Sequence, residues 1–117
     1  MTILFVENHT RFANITAQTF LAAHSVTIVS HISDAKKMLS QSVFDVVLVD
    51  YDLDDGKGIE LVRWIRERDI RSCVIAVSAH DQGNAALAQA GTDAICGKSN
   101  FKDIEKTILE NYRQQCD

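Results

Sequence analysis

The chain has 117 residues, 46% hydrophobic and 24% charged, with a formal net charge of −4, which is one domain's worth of material with enough apolar content for a single core. The acidic balance argues against direct binding to nucleic acid, which needs a basic excess. No apolar run approaches the roughly 20 residues of a membrane span, and the N-terminus lacks the basic-then-apolar pattern of a signal peptide, so a cytoplasmic location is expected.

Apolar runs alternate with amphipathic stretches from end to end, the pattern of a parallel sheet covered by helices. Strands are expected at 3–6, 26–29, 44–49, 73–77 and 93–96, short and apolar as strands buried on both faces must be. A first helix starts at Thr10 as N-cap, with Phe12, Ile15, Phe20 and Ala23 at helical spacing. Ser33 caps a second, whose buried side is Ala35, Met38 and Leu39. A third opens near Gly58 and buries Leu61, Val62 and Ile65, with Trp64 on its rim and Arg63, Arg66, Glu67 and Arg68 toward water. The fourth, 82–90, is rich in alanine and ends at Gly91, a residue that takes the left-handed conformation at a helix end. The fifth lines up Phe101, Ile104, Ile108 and Tyr112 as a core stripe. Right-handed crossovers then give an α/β fold, a doubly wound five-stranded parallel sheet of order 2-1-3-4-5 flanked by five helices, flavodoxin-like.

Cys73, Cys96 and Cys116 form no C-x-x-C pair and read as idle thiols. His9, His24, His31 and His80 lack the close spacing of ligands on one element and read as ordinary polar residues.

In such a sheet, ligands bind beyond the carboxyl ends of the strands where the strand order reverses, here between the first and third strands. Glu7-Asn8 and Asp50 follow those two strands, and the same edge receives Ser78 and Lys98 from the fourth and fifth. Each has an ordinary explanation alone: a solvated turn, a tied-off strand end, a surface lysine, an acidic helix start. Their convergence on one crevice argues for a site. A carboxylate attacking phosphorus needs a divalent cation and a fixed positive charge beside it, and this set offers both. Asp50 is the expected nucleophile. Magnesium would be held by Asp50 and Glu7, with the backbone carbonyl of Asp52 two residues on, while Lys98 and Ser78 would contact phosphoryl oxygens.

Ile3-Leu4-Phe5-Val6-Glu7-Asn8, Val47-Leu48-Val49-Asp50, Val77-Ser78-Ala79 and the run from Ala90 to Lys98 resemble response-regulator receiver domains along the full length, 1–117. Gly58, eight residues after Asp50, fits the same pattern. The resemblance implies a non-enzymatic phosphoacceptor that takes a phosphoryl group on Asp50 from a sensor histidine kinase or phosphotransfer protein. Ser78 and Lys98 would read out that state to an effector domain or partner protein. It also implies a homodimer through the fourth and fifth helices and fifth strand as one assembly, and gives His80 the position that tunes phosphate loss.

Three departures mark the chain as atypical. Asn8 stands where receivers carry a second acidic residue, forfeiting on the order of several kcal/mol of Coulomb attraction to a cation at an effective dielectric of ~20. Asp52, with Asp54 as a further source, is expected to restore it as a direct or water-mediated ligand. Ile95 replaces the usual aromatic, and Ser99 replaces a cis proline after the lysine. Two other readings follow from the same residues. A protein-interaction module that is never phosphorylated would fit the loss at Asn8. The run Val49-Asp50-Tyr51-Asp52 also resembles the nucleophile loop of haloacid-dehalogenase-type phosphatases, but those carry it on the first strand and need a later acidic pair. An EF-hand calcium loop fails because Asp55 and Leu61 stand where glycine and glutamate are required.

Overall fold

The computed structural model describes residues 1–116, with side chains described through Tyr112. In chain order the elements are β1 (Thr2–Val6), α1 (Thr10–Phe20), β2 (Ser25–Val29), α2 (Ile32–Gln41), β3 (Val46–Val49), β4 (Asp52–Leu53), β5 (Gly56–Lys57), α3 (Gly58–Glu67), β6 (Cys73–Ala76), α4 (Asp81–Ala90), β7 (Ala94–Ile95), a 3-10 turn over Lys98–Asp103, and α5 (Ile104–Cys116). Five strands make one parallel sheet of order β2-β1-β3-β6-β7. This is the expected 2-1-3-4-5 order, with the small antiparallel β4–β5 hairpin inserted after the third strand.

The two-residue period of a strand divides the core into two layers. Leu4, Val6, Val47, Val49, Val74 and Ala76 face α2, α3 and α4, meeting Ala35, Leu39, Leu61, Val62, Ile65 and Leu87. Ile3, Phe5, Val46, Leu48, Cys73 and Ile75 face α1 and α5, meeting Ala13, Leu21, Phe101, Ile104 and Ile108. All four residues of β3 are fully buried, as the centre of a sheet covered on both sides requires. On the second layer Phe5 stacks on Phe101 at 5.6 Å between centroids, and Phe12 meets Phe101 edge-on at 5.6 Å, tying α1 and the 3-10 turn to β1.

Several element ends differ from expectation. Thr10 is the first helical residue and His9 the N-cap, with no side-chain capping bond. Ile15 is half exposed and Ala23 is exposed beyond the helix, so the inward face of α1 is Ala13, Thr16 and the half-buried Phe12 and Phe20. Spacing alone could not choose between two faces that both carry apolar residues. Ser33 does not cap α2. The carboxylate of Asp55, from the β4–β5 turn, accepts the Ile32 and Ser33 N–H groups at 2.6 and 3.1 Å. Phe44 precedes β3 and β7 has only two residues, since Asp93 and Cys96 lie outside the ladder. Arg66 is half buried rather than solvated, donating to the Gly91 carbonyl at 2.8 Å and to Asp93 at 2.9 Å. Gly91 ends α4 at φ 125°, a conformation that favours glycine. Trp64 is a rim residue, with Arg68 4.8 Å from its ring centroid. Cys73 and Cys96 are buried free thiols, and burial pushes Cys73 up to about 12; the side chain of Cys116 lies outside the described residues.

Because Asp55 serves as a cap from outside the helix, Asp55→Ala should cost about 1 kcal/mol in urea denaturation, more than Ser33→Ala. Equal effects would contradict the assignment.

Candidate functional site

Sheet register brings the chemistry together. Val6 pairs with Val49 and Val49 with Ala76, so the residues leaving β1, β3 and β6 emerge on one edge. The Asp50 N–H donates to the Val6 carbonyl at 3.0 Å and that of Val77 to Val49 at 3.0 Å, carrying the ladder to the rim. Past β7, the Cys96 N–H bonds Ala76 and the Lys98 N–H bonds Ser78 at 3.2 Å. Glu7, Asp50, Ser78 and Lys98 are therefore fixed by backbone pairing.

Lys98 points its ammonium between the two carboxylates. Its Nζ lies 2.9 Å from Glu7 Oε1, 3.0 Å from Oε2 and 3.3 Å from Asp50 Oδ2. Its other neighbour is the Phe12 ring, with the centroid 5.0 Å away, so an aromatic face and two carboxylates aim the lysine. Ser99 leaves no cis peptide here. Glu7 is completely buried and Asp50 is 4% exposed. The Asp50 Oδ1 accepts the Tyr51 N–H at 2.9 Å, and Glu7 Oε2 accepts the His9 N–H at 3.0 Å.

Two buried carboxylates with one ammonium leave an excess negative charge. Burial above all, and then the hydrogen bond and charge of Asp50, push Glu7 up to about 7, against the bonds from His9 and Lys98. Asn8 Oδ1 is buried without a hydrogen-bond partner, whereas Glu7 Oε1 is held by the Lys98 ammonium at 2.9 Å. Buried oxygens without donors are costly, and an oxygen-seeking divalent cation satisfies them. The donor set thus fits a magnesium-class ion, with Asn8 offering a neutral oxygen in place of a carboxylate.

Other residues take different positions from those expected. The Asp52 carboxylate is not brought to Glu7 and Asp50; it pairs with Lys57 across the hairpin, whose ammonium also sits 5.1 Å from the Tyr51 ring centroid. That pairing is set by the antiparallel partnership of Asp52 with Lys57. Asp54 lies 3.8 Å from His31, away from the crevice pair. Ser78 is buried, and its Oγ accepts the His80 N–H at 3.2 Å beneath the first turn of α4. A Cβ on Gly83 would come within 2.7 Å of that oxygen, so glycine is what lets α4 close over Ser78. Ile95, at the position of the usual aromatic, is 48% exposed.

Two residues were missed in the sequence. Asn84 of α4 is buried, accepting the Ser78 N–H at 2.8 Å and donating to the Ser78 carbonyl at 3.1 Å, which pins the loop bearing the hydroxyl. A polar residue in an otherwise alanine-rich helix was the available signal. His9, set aside for lack of ligand spacing, lies beside the acidic pair, its Nδ1 3.4 Å from Glu7 Oε2. Glu7, His9 and Asp50 each offer a ligand atom within 4.8 Å of the others.

The family model for the response regulator receiver domain matches residues 3–109. The chain belongs to the response regulator receiver domain family. Among solved structures, a CheY-like receiver domain protein from Methanospirillum hungatei superposes with a TM-score of 0.85 at 24% identity, covering 97% of this chain and 94% of that one. Response regulator TrrA from Thermotoga maritima, solved in complex with Mg(2+)-BeF, gives 0.83 at 18% identity, covering 93% and 96%. Among curated relatives, response regulator protein PilR of Pseudomonas aeruginosa is 30% identical over 57 residues, 49% of this chain and 13% of PilR. This receiver domain therefore matches a small part of that relative's length. No helix among its described residues is long and apolar enough to cross a membrane.

The raised Glu7 has a stability consequence. With a folded value of about 7 against an ordinary 4.5, the native state binds the extra proton, so its contribution is complete below about pH 4.5 and is lost as pH rises through 7. Metal-free protein should lose up to ~3 kcal/mol between pH 5 and pH 8 in denaturant titrations, and Glu7→Gln should flatten the curve. A wild-type profile as flat as the variant's would contradict this charge excess.

Proposed function

We propose that residues 1–117 form one receiver domain that accepts a phosphoryl group on Asp50 from a phosphohistidine of a sensor kinase or phosphotransfer protein. The observation that carries this reading is the buried Asp50–Glu7 pair closed by Lys98 on the edge where a doubly wound sheet binds ligands. An Asp50 carboxylate oxygen forms the new O–P bond as the P–N bond breaks, and the imidazole leaves with the electron pair. Tyr51 N–H fixes the carboxylate for in-line approach. Lys98 gives up part of its contact with Glu7 to meet a phosphoryl oxygen, and Ser78 donates to another after leaving His80 N–H.

Glu7, Asp50, Asn8 Oδ1 and the backbone carbonyl of Asp52 would hold magnesium, which when bound supplies neutralising charge between the carboxylate and the phosphoryl oxygens. The Asp52 side chain could join only by releasing Lys57. Movement of the Ser78 loop would pass through its bonds to Asn84 into α4, altering the surface offered to an effector domain, a partner protein or a second copy. His80, exposed before the start of α4, shares a cleft with Tyr51, Asp52 and Lys57, and would tune phosphate loss as the family resemblance implies. A cytoplasmic location follows from a kinase partner of this kind. The amide at Asn8 favours one second reading, a module that makes contacts without phosphorylation.

Incubation with acetyl phosphate or phosphoramidate and magnesium, followed by intact mass, separates the two. One added phosphoryl group, absent in Asp50→Ala, is expected. No addition at any magnesium concentration would support the contact-only reading.

A further inference from the structure

The residue that distinguishes this crevice is His9. Glu7, His9 and Asp50 present ligand atoms within 4.8 Å of one another. Donors around a first-row divalent ion sit about 2–2.2 Å from it, so neighbouring ligands lie about 3 Å apart and opposite ones about 4.3 Å. The observed separation therefore needs only a small inward movement. His9 can make it, because its side chain is 69% exposed while its backbone is anchored by the N–H bond to Glu7 Oε2.

A second observation points to a ligand at the same place. Asn8 Oδ1, on the residue between Glu7 and His9, is buried without a hydrogen-bond partner. The Asp52 side chain, which could have supplied further charge, is held by Lys57. The site thus has one anionic oxygen ligand fewer than a carboxylate at position 8 would give, and an imidazole at its open side. Imidazole suits iron, nickel, copper and zinc, and affinity for the first-row divalent ions rises from manganese through nickel to copper.

Resting on the receiver reading of this site, we propose that His9 is a metal ligand with Glu7 and Asp50, making the crevice select a nitrogen-accepting first-row divalent ion over magnesium. The imidazole stands in for the carboxylate absent at Asn8, exchanging electrostatic affinity for a coordinate bond. The bound ion would serve the same phosphoryl chemistry.

The test is calorimetric titration of Mg2+, Mn2+ and Ni2+ into the wild-type chain, His9→Ala and Glu7→Gln, with pulsed EPR of the Mn2+ complex. His9 is exposed, so its truncation leaves the core intact. Wild type should bind Ni2+ about 100-fold more tightly than Mg2+; His9→Ala should weaken Ni2+ about tenfold or more and shift Mg2+ less than about threefold. The Mn2+ spectrum should show a nitrogen coupling that disappears in His9→Ala. Unchanged Ni2+ affinity in His9→Ala, or no nitrogen coupling in wild type, would overturn the proposal and leave only a surface histidine beside a glutamate. Labelling of Asp50 by phosphoramidate in that case keeps the acceptor reading. Loss of coupling in His9→Ala without labelling under any ion overturns the acceptor reading and keeps the ligand assignment.

Discussion

The ammonium of Lys98, lodged between the buried carboxylates of Glu7 and Asp50, is the interaction on which the site depends. Two buried carboxylates that close to each other repel, and one cation cannot neutralise both. The arrangement is held because the surrounding fold over-determines it. Parallel register sets Glu7 and Asp50 side by side, the Phe12 ring supports the lysine, and backbone bonds fix Lys98 to Ser78. The remaining negative charge is what would draw a divalent cation to the crevice in the proposed function.

Around this charge cluster the readout parts are connected but altered. Ser78 is joined by paired hydrogen bonds to Asn84, which ties its loop to α4. The position where receivers often use an aromatic to register that movement carries Ile95, already half exposed and without a polar tip to exchange partners. In the proposed function the signal from Asp50 would run through the Asn84 connection and the packing of α4 over Ser78 at Gly83.

The sheet was legible because a strand covered on both faces must be apolar throughout, and Val46–Val49 could be nothing else. The site was legible because Glu7, Asp50, Ser78 and Lys98 each directly follow or closely trail such a strand, so topology alone brought them to one edge. What escaped depends on contacts between distant segments. Ser33 looked like a cap because serine is a good one, but Asp55, more than twenty residues away, reaches the α2 N-terminus first. The sequence offers the Asp52 carboxylate to the crevice, whereas hairpin pairing sets Lys57 opposite it. His9 was dismissed because ligand spacing was sought within one element, whereas its partners are a neighbour on the same loop and a residue from the third strand. Asn84 is one of several polar residues in α4, and only the closing of the Ser78 loop six residues upstream sets it apart as the buried one.

The central claim is that the crevice accepts a tetrahedral phosphoryl-like group on Asp50, with a divalent cation and Lys98 as its counter-charges. Fluorine NMR of the chain with beryllofluoride tests this directly. Resolved signals from bound fluoride should appear only when a divalent cation is present, and should be lost in Asp50→Asn. Absence of bound fluoride at saturating cation, or its persistence in Asp50→Asn, would contradict the account.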